Sequence, residues 1–518
     1  MHKGPFILGI DIGGTGVKTG LLTLEGKITR RSYQEYRMVS NLPGQAEHDA
    51  VCWWDSTISA IRRTIEGLSP DEISSVGVSC TNGLIPVDGN GEPLGPAIML
   101  WDQRALPEVR RISEALDPDE VFRITGNPVA PGAYSLPTLL WLKNDRPDIF
   151  NRAHKLMVPG GYIVARLTGE FSIDHSRACT TLLFDIKRLR WHNPFLEALE
   201  IPSEKLPRPM SSTEIAGEVT AEAAAMTGLA KGTPVIAGCM DTISASAGSG
   251  STRPGECFII MGTAARVASI LGTPNFDVRF MNSTHIEDGT WLSIGAINGV
   301  GSSLRWIRDS FGHMEQSVGE IAGRSPYDLL TSQAANSPPG SKGLIFLPYI
   351  AGERTPIWNP YARGVFFGVT LGHGRGEIFR SVLEGAAFAM RQVIEILERE
   401  VELAINELRI GGAASESDIW MQIICDVIGK EVVTLSNSDT EVLGAALLAG
   451  IGTGSLSEDI LQSGKVATIG KTFEPNAEAH NAYNNLFPIY KELYPDLEPY
   501  FQRLAELDLP QVWIRKEK

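Results

Sequence analysis

The stretch "FILGIDIGGTGVKTGLL", Phe6 to Leu22, decides how the chain is read. An apolar run, Phe6–Ile12, is interrupted only by Gly9 and Asp11 and reads as a buried strand. After the glycines, Val17–Leu24 resumes strand composition, which predicts a hairpin. A further turn at Glu25-Gly26 leads into a third strand-like run. A dinucleotide-binding glycine fingerprint opens a helix directly after its first strand. Here a second strand follows, so that reading is excluded.

The same unit recurs at Cys257–Leu271, "CFIIMGTAARVASIL", behind the breaker-rich "GSGSTRPGE". Gly14-Thr15 then aligns with Gly262-Thr263, and Lys18 with Arg266. Each copy is an apolar strand, a Gly-Thr turn, a basic residue three positions on and a second strand. Duplication of one supersecondary unit explains the pair, with chance similarity of two glycine hairpins as the alternative. The boundary falls near Ser251–Gly255, giving two domains, 1–250 and 251–518. Within the second, Glu377–Glu402 carries apolar residues at three- and four-residue spacing and predicts a long core helix. "ELRI", Gly411-Gly412, "SDIWMQIICDVIG", "KEVVTL" and "EVLGAALLAG" alternate strand and helix, which implies an α/β fold with a sheet covered by helices. Residues 332–343, "SQAANSPPGSKG", read as a loop.

Composition narrows the function. With 518 residues, 43% hydrophobic content and a formal charge of −15, the chain can bury more than one core and repels polyanions, so nucleic acid is not an expected partner. No segment reaches the roughly 18 apolar residues that a membrane span needs, so no membrane partner is expected. Six cysteines are scattered without pairing rhythm, as are nine histidines. The expectation is a cytoplasmic protein with reduced thiols and no zinc site.

Several residues can carry chemistry. Glycine-rich hairpin turns let backbone N–H groups approach an anion, and two of them can hold a polyphosphate. Asp11 at the strand end can organise hydrated Mg²⁺ on those phosphates, or cap the turn. "VIAGCMDTISASAGSG" delivers Asp241 into small residues, where it can orient an attacking hydroxyl or serve as a helix N-cap. Gly411-Gly412, between a strand and a helix, suits close approach of a nucleotide or tight packing alone. "MLWDQR" combines Trp101, Asp102 and Arg104 into an aromatic platform, an acceptor and a donor fork, a set that grips polyhydroxylated molecules. Its plainer reading is an exposed ion pair beside a packed tryptophan.

In their order along the whole chain, these segments resemble the FGGY carbohydrate kinases, a family of the actin and Hsp70-like ATPase superfamily. "GERTPIWNPYARGVFFGVTLGHGRGEIFRSVLEG", Gly352–Gly385, matches the second family signature at Gly364, Phe366, Gly368, Val369, Glu377, Ser381 and Glu384. The first signature is weaker, because "YSLPTLLWL" has Thr138 where members commonly carry Lys. The resemblance implies two ribonuclease-H-like domains with an interdomain cleft holding ATP and Mg²⁺, and transfer of the γ-phosphoryl to a sugar hydroxyl. It assigns Asp11, Gly14, Thr15 and Lys18 to the first phosphate loop, with Asp11 on Mg²⁺ through water. Gly262 and Thr263 form the second loop, and Gly411, Gly412 and Ala413 the nucleotide-binding turn. Asp241 matches the catalytic base. Thr81, Asn82, Trp101, Asp102, Arg104, Asp241 and Thr242 fall where the family binds its sugar.

The substrate-side match is most like xylulokinases, a pentulose-phosphorylating group, with "GQAEHD" and "WMQ" closer to L-xylulose kinases. Thr81-Asn82 stands where xylulokinases usually present Met-His, so tetritol or other polyol kinases stay open. Family members are often dimers, which implies a homodimer here. The reading from another class is an actin- or Hsp70-like ATPase with no sugar substrate.

Overall fold

Strand Phe6–Ile12 is buried along its whole length and pairs antiparallel with Gly16–Thr23, as the opening hairpin requires. Gly16–Thr23 pairs in turn with Ile28–Glu35, the outermost strand of the sheet, where every residue is partly or fully exposed. The computed structural model describes residues 4–37, 45–130, 133–436, 439–462, 466, 467 and 469–507. The first seven-stranded sheet has the order Ile215–Glu218, Pro234–Ile236, Ile73–Cys80, Phe6–Ile12, Gly16–Thr23, Ile28–Glu35, with Cys239–Met240 also on Ile73–Cys80. Ile73–Cys80 runs parallel to Phe6–Ile12, so a crossover containing the Ala50–Thr64 helix joins them.

The second seven-stranded sheet repeats this plan. Its order is Met281–Thr284, Trp291–Ile297, Ala265–Leu271, Cys257–Met261, Glu407–Gly411, Glu431–Leu435, Ile469–Phe473. In both sheets the hairpin strand and its successor lie to one side of the founding strand, and a parallel pair, Ile73–Cys80 with Pro234–Ile236 or Glu407–Gly411 with Glu431–Leu435, lies to the other. Two ribonuclease-H-like α/β domains are therefore present, in line with the duplicated Gly-Thr hairpin.

Two compact units share the chain. One comprises Met1–Phe258, Ala268–Ile294 and Leu435–Ile469; the other comprises Ile259–Val267, Gly295–Thr434 and Gly470–Lys518. Helix Thr440–Gly452, the expected "EVLGAALLAG" helix, thus packs with the N-terminal strands. Glycines make that contact intimate. A Cβ on Gly9 would stand 2.2 Å from the Val442 carbonyl oxygen, and one on Gly77 1.9 Å from that of Ala445. The helix also presses on Asp241–Ser249, where a Cβ on Gly444 would stand 1.8 Å from Ser244 O and one on Gly248 2.1 Å from Thr440 O.

Two local expectations need adjusting. The long helix runs Arg375–Arg399, with the Glu377 carboxylate accepting the Gly374 N–H at its start, and it ends short of Glu402. Residues 332–335 are helical, not loop, because Ser325 caps a helix Pro326–Ala335 that has Pro at its first position.

A buried histidine pins the Asp241 helix from below. His285 Nε2 lies 2.8 Å from Ser246 Oγ, and burial pushes its imidazole down to about 3. Two tests follow from this packing. Gly77→Ala should lower the unfolding free energy by about 2 kcal/mol or more, whereas Gly89→Ala, with open space around its Cβ, should change it by less than about 0.5 kcal/mol; denaturant midpoints separate them. Below about pH 6.5 the unfolded chain takes a proton that the folded His285 refuses. Its contribution is therefore complete above that pH and falls by about 1.4 kcal/mol per unit towards pH 3. His285→Gln should flatten that part of the pH-stability curve.

Candidate functional site

In the first unit, the turn after Phe6–Ile12 is held by its carbonyls. Tyr36 Oη donates to Gly13 O, His48 Nε2 sits 3.0 Å from Gly14 O, and Tyr33 Oη and the Tyr36 N–H reach Thr15 O at 3.2 and 3.1 Å. In a trans peptide the N–H points opposite the carbonyl of the same plane. Pinning the carbonyls of Gly13, Gly14 and Thr15 therefore turns the N–H groups of Gly14, Thr15 and Gly16 the other way, the arrangement an anion needs. Lys18, the expected basic partner, lies in strand Gly16–Thr23 and pairs with Asp439 at 3.1 Å.

Asp11 is buried at the end of the first strand and accepts from Ser79 Oγ at 2.9 Å. Burial, and then the charges of Glu441 and Asp241, push its carboxyl up to about 7, against the Ser79 hydrogen bond and Lys18. Carboxylates that repel one another in a desolvated place fit a hard dication with oxygen ligands. Among the described residues no three acidic, histidine or cysteine side chains stand close enough to bind an ion directly. Glu441 enters from the Thr440–Gly452 helix and has no counterpart in the sequence expectations.

Asp241 is the first residue of its helix, after an N-cap at Met240, so it sits one step inside the capping position. Its Oδ1 accepts from the Thr242 N–H at 2.7 Å and Thr242 Oγ1 at 3.1 Å. Arg177, 3% exposed, approaches the same oxygen at 3.5 Å. This arginine, in the short helix His175–Cys179, was missed because nothing in "DHSRACTT" signals that its side chain points inward.

Asp102 and Arg104 form a tighter pair than either sequence reading. Asp102 is buried and accepts the Ala46 N–H at 2.6 Å, the Arg104 N–H at 2.9 Å, and Nε and NH2 of the Arg104 side chain at 2.9 and 2.8 Å. Arg104 also binds Glu47 at 2.7 Å and lies 5.0 Å over the Trp141 ring. The ion pair is thus enclosed and the packed tryptophan is Trp141. Trp101 remains 39% exposed, and its ring edge stands 3.1 Å from where a Gly14 Cβ would be, linking the segment to the first glycine turn. Thr81 and Asn82 are buried: the Thr81 N–H donates to Ile12 O at 2.8 Å, while Asn82 binds the Gly83 N–H and Ala133 O.

The second unit carries the other turns. The Gly262 N–H donates to Ala264 O at 2.9 Å, as the Gly13 N–H does to Gly16 O at 3.0 Å. Helix Gly301–Phe311 starts against this turn, with Arg305 NH2 3.2 Å from Thr263 Oγ1. Gly412 has φ +93°, and a Cβ there would stand 2.4 Å from Met261 O, so the Gly411-Gly412-Ala413 turn is pressed onto the Cys257–Met261 strand. A short 3₁₀ turn, Ala413–Glu416, separates it from helix Asp418–Ile428.

Comparison with known proteins agrees with this architecture. Residues 6–248 match the N-terminal domain of the FGGY family of carbohydrate kinases and residues 257–453 its C-terminal domain. The chain is 30% identical to a gluconokinase of Bacillus subtilis (strain 168), over 97% of this chain and 98% of that protein. It is 30% identical to a xylulose kinase of Lactococcus lactis subsp. lactis (strain IL1403), over 97% and 99%. A ligand-bound xylulose kinase structure from Lactobacillus acidophilus superposes with a TM-score of 0.88 at 27% identity, covering 96% of this chain and 99% of that one. Members of the family use ATP with Mg²⁺. Two repeated α/β domains, paired Gly-Thr turns and family matches over most of the sequence have one meaning: the chain belongs to the FGGY family of carbohydrate kinases and is a sugar phosphotransferase.

Proposed function

We propose that the enzyme phosphorylates a neutral pentulose of the xylulose type, working in the cytoplasm as a homodimer, with residues 1–250 receiving the sugar and residues 251–518 most of the nucleotide. The observation that carries the substrate class is the charge balance in the first unit. Arg104 is matched by Asp102 and Glu47, and Arg177 by Asp241. Asp11 and Glu441 add further negative charge. A sugar with no ionised group suits that surrounding, whereas the carboxylate of an aldonate adds to the repulsion. The gluconokinase relative makes aldonates the competing class to assay.

In this reading Thr81, Asn82, Trp101, Asp102, Arg104 and Thr242 shape the sugar site. Asp241 accepts the proton of the attacking hydroxyl as its oxygen bonds to the γ-phosphorus, while the bond to the β-phosphate oxygen breaks and ADP leaves with the electron pair. Gly14, Thr15, Lys18, Gly262 and Thr263 take the phosphates, and Gly411, Gly412 and Ala413 approach the nucleoside. Asp11 would hold Mg²⁺ through water, and the ion would supply neutralisation of the phosphate charge.

A coupled ADP-release assay across pentuloses, tetritols and aldonates should give a kcat/KM for a neutral pentulose about 100-fold above any aldonate; preference for an aldonate overturns the substrate class. Asp241→Asn should cut sugar-dependent turnover about 100-fold or more while ATP still binds. Asp11→Asn should lower turnover by a similar factor, on the order of 100-fold. In metal-free buffer it should melt no lower than the parent, because a buried like charge has gone.

A further inference from the structure

The "GERTP" segment of the family signature lies in the second unit, outside every role assigned so far. Glu353 is 3% exposed, and its Oε1 accepts the N–H of Asn298 at 2.7 Å and of Arg354 at 2.8 Å. The Arg354 Nε donates to Asn298 Oδ1 at 2.8 Å, and Asn298 Nδ2 donates to Gly352 O at 3.4 Å. Thr355 extends the grip: its N–H donates to Ala296 O at 2.9 Å and its Oγ1 accepts the Ala296 N–H at 3.1 Å. Asn298 is thus held by its backbone N–H and both side-chain atoms.

What Asn298 holds is the approach to the second Gly-Thr turn. Ser302 Oγ donates to Asn298 O at 2.8 Å, and the Ser302 N–H donates to Thr263 O at 2.9 Å. Between them, a Cβ on Gly299 would stand 1.5 Å from Pro348 O, and one on Gly301 2.2 Å from Gly262 O. The Gly262-Thr263 peptide therefore rests on backbone that has no lateral slack. Its position is transmitted from Glu353 and Arg354 through Asn298, Gly301 and Ser302. We propose that Glu353 and Arg354 are positioning residues for the Gly262-Thr263 turn, setting the geometry with which it receives the nucleotide phosphates. This rests on the assignment of that turn as the second phosphate loop.

Burial pushes the Glu353 carboxyl up to about 8, opposed by its two backbone hydrogen bonds and Arg354. At neutral pH it works chiefly as an uncharged acceptor, which a glutamine amide oxygen can replace. Misplacing a phosphate-binding turn by about 1 Å is enough to cost on the order of 100-fold in rate.

The test uses the full-length enzyme, with ATP titrated directly and KM measured for ATP and for the accepted sugar. Arg354→Met and Glu353→Ala should weaken ATP binding and raise KM for ATP about tenfold or more, with KM for sugar within about twofold and the melting transition retained. Glu353→Gln should bind ATP as the parent does. Arg354→Lys, which keeps the charge and one donor, should fall between the parent and Arg354→Met, and it decides the matter if the methionine variant does not fold. Parental ATP affinity in the folded Met or Ala variants, or a change confined to sugar, overturns the inference. Gly262→Val is the benchmark. If it too binds ATP normally, the phosphate-loop assignment fails; if it loses ATP while Arg354→Met does not, the positioning inference alone fails.

Discussion

The first unit depends on a contact in which no side chain intervenes. Helix Thr440–Gly452 lays its backbone carbonyls on Gly9 and Gly77 of two neighbouring strands and meets the Asp241 helix through Gly444 and Gly248. Only hydrogen fits at those four positions, so sheet and both helices approach to backbone distance. That closeness lets the charges of Glu441 and Asp241 act on the buried Asp11 carboxyl. The charge arrangement that suits a dication is thus a product of packing as much as of the acidic residues themselves.

The two units handle charge differently. In the first, carboxylates are brought into burial and then partly compensated, Asp102 and Glu47 by Arg104, Asp241 by Arg177. Around the second Gly-Thr turn the charges are cationic: Arg305 reaches Thr263 Oγ1, and the charge of Arg266 adds to burial in lowering the Arg354 guanidinium. Buried acceptors in the one unit and cationic donors around the Gly-Thr turn of the other are the two kinds of surrounding that phosphoryl transfer from a polyanion to a hydroxyl uses.

Much of this was legible from local pattern. Apolar strand runs, glycine turns and the second hairpin copy pointed to the paired hairpins and a helix-covered sheet, because each of those signals lies within some twenty residues. Asp11, Asp241 and Trp101-Asp102-Arg104 were nominated by neighbours in sequence, and the structure gives each defined partners. Glu47, Arg177 and Glu441 were not nominated, since their significance arises from partners 57, 64 and 430 positions away. The same holds for Gly9 and Gly77, which look like ordinary strand glycines until the late helix is laid across them. The Pro326 helix start was readable from Ser325 and Pro326, but the proline-rich run after it drew attention to a loop.

That late helix also sets a schedule. A strand that begins at Phe6 finds its covering helix only at Thr440, with the whole second Gly-Thr hairpin synthesised in between. At translation speeds of about 5 to 20 residues per second the glycine-bearing strand is made roughly 20 to 90 s before the helix that covers it. During that interval Asp11 has neither Glu441 beside it nor the helix that buries it. The surroundings of Asp11 are complete only once Thr440–Gly452 has been made, so a chain that stops short of that helix holds the hairpin without Glu441.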